Sequence, residues 1–136
     1  MKESVRSGRY CEFNLHVNLV FIPKYRGEVF TSGMLNVLES IFAEVCTDFE
    51  AELTEYNGEA EHVHLLVNYP PKVSISKLVN TLKGVSSRML RKHYPEEIGH
   101  IYWKGALWSP SYFAGSEGDA PLSDIRRYIE AQNRPD

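Results

Sequence analysis

The stretch Glu61-His62-Val63-His64-Leu65-Leu66-Val67 decides how the rest of the chain is read. It is an apolar run of strand length, and side chains along a strand alternate between the two faces of a sheet. His62 and His64 therefore share one face, while Val63, Leu65 and Val67 share the other. Two residues of strand rise by roughly 6.6 Å, which lets two imidazoles converge on one cation. One face is thus predicted as core and the other as a metal seat. Paired histidines on a half-exposed strand also suit a plain polar face, so the spacing alone leaves both readings open.

Just upstream, Asn57-Gly58 is a tight-turn signal, predicting a hairpin between a strand over Ala51–Tyr56 and the histidine strand. Before that, Thr31 or Ser32 can cap a helix in which Met34, Leu35, Leu38, Ile41, Phe42, Val45 and Phe49 recur at helical spacing. Further back, Phe13, Leu15, Val17, Leu19 and Phe21 alternate with Asn14, His16 and Asn18, a strand with one apolar face that Pro23 ends. Residues up to about Tyr10 are polar and predicted to be loosely held.

Downstream, Pro70-Pro71 closes the histidine strand and Ser74 caps a second helix. Its apolar stripe is Ile75, Leu78, Val79, Leu82, Val85 and Met89. The opposite face carries Lys77, Asn80, Thr81, Gly84, Ser87, Arg88, Arg91 and Lys92. A further strand is predicted around His100–Trp103 and a short extended piece around Ser111–Ala114. Gly115-Ser116-Glu117-Gly118 reads as a flexible turn, and Pro121 suits the first turn of a last helix within 119–134. The order β-α-β-β-α-β-α predicts an α+β fold: a ferredoxin-like split βαβ antiparallel sheet with helices on one face, plus a C-terminal helix.

At 136 residues the chain is expected to form a single domain over 1–136 with a substantial core. No stretch approaches the ~20 apolar residues of a membrane span, which argues against a membrane partner and for a cytoplasmic address. Cys11 and Cys46 form no disulfide framework and no metal-ligand spacing. The net charge of −3 speaks against a polyanion partner, but its distribution does not. Lys72 to Lys92 holds six basic residues and no acid, so any such contact is confined to one basic face.

On the last helix Tyr128 and Gln132 lie one turn apart on one face, off the apolar stripe of Leu122, Ile125 and Ile129. A surface tyrosine beside a glutamine is an ordinary arrangement unless this helix reaches the histidine face. If it does, two imidazoles and one amide oxygen leave about three positions of an octahedral Mg2+ or Mn2+ open for water and a phosphodiester oxygen. Zinc fits less well, preferring four-coordinate sites richer in His, Cys or carboxylate. A cation would also help expose the phenolate of Tyr128, which could attack phosphorus and conserve the ester's free energy in a phosphotyrosine.

These residues sit in a longer set of motifs. His62-Val63-His64 resembles the HUH motif (histidine, bulky hydrophobic, histidine). Asn18-Leu19-Val20-Phe21-Ile22-Pro23-Lys24-Tyr25-Arg26, Pro70-Pro71-Lys72-Val73-Ser74-Ile75-Ser76-Lys77, and Leu82-Lys83-Gly84-Val85-Ser86-Ser87-Arg88 are similar to the TnpA-like single-tyrosine transposases of bacterial insertion sequences. So are Trp108-Ser109-Pro110-Ser111-Tyr112-Phe113 and Ile125-Arg126-Arg127-Tyr128-Ile129-Glu130-Ala131-Gln132. The resemblance spans roughly residues 12 to 134. It implies cleavage and rejoining of single-stranded DNA at hairpin-marked element ends through a 5′-phosphotyrosine. It also implies metal on His62, His64 and Gln132, Tyr128 as nucleophile, and a homodimer in which one subunit's tyrosine helix can complete the other's site.

The expected DNA contacts are Lys77, Lys83, Arg88 and Arg91 on the basic helix, Lys24, Tyr25 and Arg26 at a strand end, and Arg127 beside the tyrosine. Arg126 and Arg127 equally suit an ordinary helix surface. Trp103, Trp108, Tyr112 and Phe113 read as core or dimer-contact aromatics. Two other functions remain compatible: a host-retained relative that processes repeated hairpins, and a non-catalytic single-strand nucleic-acid binder on a ferredoxin-like sheet.

Overall fold

In the computed structural model, residues 5–25, 27–102, 107–116 and 122–132 are described. Alternating and helical apolar periods assemble two short strands, β1 (Arg6–Ser7) and β2 (Glu12–Phe13), then β3 (His16–Phe21), α1 (Ser32–Asp48), β4 (Glu52–Glu59), β5 (His62–Asn68), α2 (Ile75–His93), β6 (Phe113–Gly115) and α3 (Leu122–Gln132). The main sheet runs β4-β5-β3-β6 with every pair antiparallel, the split βαβ arrangement predicted from the element order. No helix among the described residues is long and apolar enough to cross a membrane.

Both long helices start at the expected caps. The Thr31 hydroxyl accepts from Met34 N and the Ser74 hydroxyl from Lys77 N, satisfying N–H groups the first helical turn leaves open. α1 and α2 pack on the sheet face formed by Val17, Leu19, Phe21, Val63, Leu65 and Val67, all buried in one cluster. Phe21, Phe42 and Trp108 meet edge-on and tilted with centroids 5.7–6.3 Å apart, an arrangement favoured by ring quadrupoles. Trp108 is 1% exposed, and its Nε1–H donates to Ser86 Oγ at 2.8 Å. Ser87, expected on the basic face of α2, is buried instead and accepts from Leu107 N at 2.9 Å. The two serines satisfy polar groups that the aromatic core would otherwise strand.

The opposite sheet face is not solvent, as a one-sided strand pattern would have it. Val20 and Ile22 are buried there against Ile125 of α3, with Phe113, Tyr128 and Ile129 packed around them. Cys46 is buried, which pushes its thiol up to about 12, while Cys11 is exposed.

Three local expectations are corrected. Asn57-Gly58 is not the hairpin turn: β4 continues to Glu59, which pairs with His62, and the turn is Ala60-Glu61. Gly58 answers a close approach, since a Cβ there would lie 2.7 Å from Leu35 Cδ2 of α1. The strand at His100–Trp103 is absent over its described residues. Pro95–Gly99 winds as one wide helical turn that buries Ile98, and Tyr102, four residues on and also buried, donates its N–H to Ile98 O at 2.9 Å. Trp103 itself lies outside the described residues. The first strand breaks near Leu15, 37% exposed, so that Glu12–Phe13 turns back to pair with Arg6–Ser7. That ribbon is pinned by Arg6, whose guanidinium donates to Asn68 Oδ1 at 2.7 Å and Glu50 O at 2.8 Å.

Candidate nucleophile and metal site

The register of β3, β5 and β4 places Val20, His64 and Asn57 side by side on the α3 face, with Glu59 opposite His62. His62 and His64 share that face, as their spacing predicts, and Val63, Leu65 and Val67 are buried on the other. Asn18, one strand over, holds its Oδ1 2.8 Å from His64 Nε2. With that oxygen accepting, the imidazole proton sits on Nε2 and Nδ1 keeps its lone pair. Burial, reinforced by His62 nearby and partly offset by Glu55, holds the titration of His64 below the ordinary histidine range. At neutral pH it is therefore an uncharged donor.

His62 Nδ1 is buried and has no hydrogen-bond partner. Glu61 Oε1 lies 3.4 Å from it, within ion-pair range but making no hydrogen bond to it. A buried ring nitrogen left without a partner costs about 1–3 kcal/mol, so the position calls for a ligand. Both histidines line a groove of about 480 Å³ between the hairpin tip and α3. Asn57, Glu59 and Glu61 line it beside the histidines, and Ile125, Arg126 and Ile129 form its helical wall. Glu59 and Glu61 supply carboxylates that no spacing argument had brought to the histidines. Among the described residues, no three His, Cys, Asp or Glu side chains form a metal-binding group.

Tyr128 and Gln132 do share a face of α3, but neither lines that groove. They meet at Ser111, just before β6. The Tyr128 hydroxyl lies 2.9 Å from Ser111 Oγ, and Ser111 Oγ donates to Gln132 Oε1 at 3.4 Å. The Tyr128 ring packs on Phe113 with centroids 6.0 Å apart. Burial raises the phenol's titration above the ordinary tyrosine range, and the Ser111 hydrogen bond pulls it partly back. The structure thus joins histidine to histidine and tyrosine to glutamine, and the groove lined by the first pair is not lined by the second.

The expected DNA contacts divide. Lys77, Arg88 and Lys92 are exposed on α2, across the sheet from the histidines. Arg91 is half-buried and donates to Tyr102 O at 3.2 Å. Lys83 is also half-buried: its ammonium donates to Ser109 O at 2.7 Å, Pro110 O at 3.3 Å and Ser111 O at 3.4 Å, over the Tyr112 ring. It braces this segment instead of presenting its charge outward. Lys24 and Tyr25 are exposed, Tyr25 stacking on Tyr102 at 5.2 Å, while Arg26 lies outside the described residues. Arg127 is exposed 3.7 Å from Asp124, whereas its neighbour Arg126 lines the histidine groove. Sequence reasoning missed Ser111 and Asn18 as partners, because neither lies near the chemistry along the chain.

Comparison with known proteins gives one answer. The sequence profile of the IS200-like transposases matches residues 11–132. The ISDra2 transposase TnpA of Deinococcus radiodurans is 30% identical over 129 residues, covering 95% of this chain and 91% of that protein. The transposase of insertion sequence IS200 from Salmonella typhimurium is 29% identical, covering 96% and 85%. A crystal structure of a candidate transposase from Deinococcus radiodurans superposes with a TM-score of 0.86 at 29% identity, over 96% of this chain and 99% of that one. A REP-associated tyrosine transposase bound to a REP hairpin shares the fold, with a TM-score of 0.55 at 14% identity over 92% and 68%. With its sheet, its histidine pair and its tyrosine helix in this company, the chain belongs to the IS200-like transposase family, enzymes that cut DNA and transfer its strands.

Proposed function

We propose that the chain cleaves and rejoins single-stranded DNA at hairpin-marked element ends through a 5′-phosphotyrosine on Tyr128, with Mg2+ or Mn2+ held by His62, His64 and Gln132. The observation that carries this reading is the buried His62 Nδ1, without a hydrogen-bond partner, beside a neutral His64, in a groove shared with Asn57, Glu59 and Glu61 and walled by the helix that bears Tyr128 and Gln132. Neutral imidazole and carboxamide oxygen are suitable donors for such an ion, and Glu59 and Glu61 add negative potential that attracts a cation. Bound there, the ion would polarise a phosphodiester oxygen and offset charge on the departing oxygen.

Tyr128 Oη would attack phosphorus, the P–O3′ bond would break, and the phenol proton would end on the released 3′ hydroxyl. Because the phosphotyrosine retains the ester's free energy, a 3′ hydroxyl can later reverse the step on another strand without ATP. Arg126, on the groove wall, would steer the phosphate past the two glutamates. The chain would act as a homodimer in which α3 of one subunit completes the other's groove, a reading supported by Tyr128 and Gln132 lying outside the groove of their own subunit. A hairpin as DNA partner is supported by the fold shared with the hairpin-bound relative. The non-catalytic binder fits less well, since His62, His64 and Glu59 stand where a base-stacking platform needs aromatic rings.

The test is incubation with a labelled single-stranded hairpin oligonucleotide and Mn2+, followed by denaturing electrophoresis. A protein–DNA adduct is expected that vanishes with chelator and with Tyr128→Phe. His62→Ala should lose it while remaining folded. An adduct that survives Tyr128→Phe would overturn the nucleophile, and one that survives His62→Ala the metal site.

A further inference from the structure

Ser111 touches both α3 groups on which the proposed chemistry depends, and it engages each at the atom that would react. Tyr128 O–H donates to Ser111 Oγ at 2.9 Å, and the serine passes its own proton to Gln132 Oε1 at 3.4 Å. The phenol O–H is thereby engaged, and the carboxamide oxygen, the side-chain atom of Gln132 suited to ligating a cation, accepts a hydrogen bond. Ser109 Oγ, 3.3 Å from Ser111 Oγ, helps orient the hydroxyl. Behind it, Lys83 caps three successive carbonyls at Ser109, Pro110 and Ser111, fixing the backbone that presents Ser111.

Such a brace is costly: burial lowers the titration of Lys83 below the ordinary lysine range. The apolar attachment of α3 in this region is thin by comparison, since Ile125 is its one buried apolar residue among those described, with Tyr128 and Ile129 half-buried beside it.

We propose that Ser111, braced by Lys83, is the positioning residue of the nucleophile helix: its hydroxyl parks Tyr128 and Gln132 away from the histidine groove, and its release lets both groups reach that groove. The inference rests on the assignment of Tyr128 and Gln132 under the proposed function. A contact of this kind couples the two groups, so nucleophile and ligand leave or arrive together.

The test reads the parked state without DNA or metal. The full-length chain is treated with tetranitromethane, and nitration at Tyr128 is followed by peptide mass spectrometry. Ser111 is exposed, so Ser111→Ala should fold normally. It should nitrate about threefold to tenfold faster at Tyr128, the scale of one lost hydrogen bond. Hydrogen exchange should rise in α3 and stay unchanged in β3 and β5. Ser111→Thr, which keeps the hydroxyl, should restore the wild-type rate, and Lys83→Met should give part of the Ser111→Ala effect.

Unchanged nitration in Ser111→Ala, or exchange rising equally through β3 and β5, would overturn the proposal. If Ser111→Ala frees Tyr128 but no hairpin adduct ever forms, the latch stands and the proposed reaction falls. If the adduct forms normally and Ser111→Ala leaves Tyr128 unmoved, the reaction stands and the latch falls.

Discussion

The two faces of the central sheet are built for different ends. On one, Val17, Leu19, Phe21, Val63, Leu65 and Val67 lock into α1, α2 and the Trp108 cluster. On the other, Val20 and Ile22 meet Ile125 with Phe113, Tyr128 and Ile129 half-buried around them, and histidine, asparagine and glutamate line the groove alongside. Apolar burial contributes about 1.5–3 kcal/mol per large side chain, so the first face carries the stability. The second gives up packing for polar groups and for a helix whose attachment is slight. Stability and chemistry are divided across one sheet thickness, with the same strand β5 serving both.

The sharpest way to break this contrast is a matched pair of truncations. Leu65→Ala should cost about 3–5 kcal/mol, because it opens a cavity among fully buried neighbours. Ile125→Ala should cost about 1–2 kcal/mol, because α3 can settle or lift away. Urea unfolding of both variants measures the difference; equal losses would mean that the α3 face is as much a core as the other. Next in size, Ser86→Ala should destabilise by about 1–3 kcal/mol by stranding the Trp108 indole N–H. No loss there would show the aromatic cluster held by packing alone.

The smallest effect is a pH dependence from the functional face. Because His64 titrates below its ordinary value of about 6.5, the unfolded chain takes up a proton before the folded one does as pH falls. Stability contributed by the neutral ring is complete above that value and declines as pH drops from it toward the lowered folded value. Thermal melts from pH 7 to pH 5 should show this slope, reduced in His64→Gln. A slope of opposite sign would mean that His64 carries a charge in the fold.

Much of this was legible from residue pattern, and the failures have physical causes. The histidine strand was readable because period two leaves no choice of face once Val63, Leu65 and Val67 are buried. Thr31 and Ser74 were readable because caps act locally. Gly58 misled because the same residue serves a turn and a close helix approach, and only Leu35 in three dimensions separates them. The supposed strand at His100 failed because Ile98 and Tyr102 follow a helical spacing that a four-residue window cannot show. In the site, His62 and His64 as neighbours and Tyr128 with Gln132 as another pair follow from strand and helix periods. The engagement of Tyr128 and Gln132 by Ser111 does not, since Ser111 and its brace Lys83 come from other parts of the chain. Lys83 shows the limit most plainly: its charge pointed to phosphate, and three carbonyls claim it.

The contrast between the two cysteines has a practical corollary. With its thiol pushed up to about 12 by burial, Cys46 holds almost no reactive thiolate at pH 8 and lies on the buried face of α1. Cys11 stands open beside the N-terminal ribbon. A maleimide dye added to the unaltered protein should therefore attach at a single place, giving a ready fluorescent reporter for DNA arriving near the ribbon.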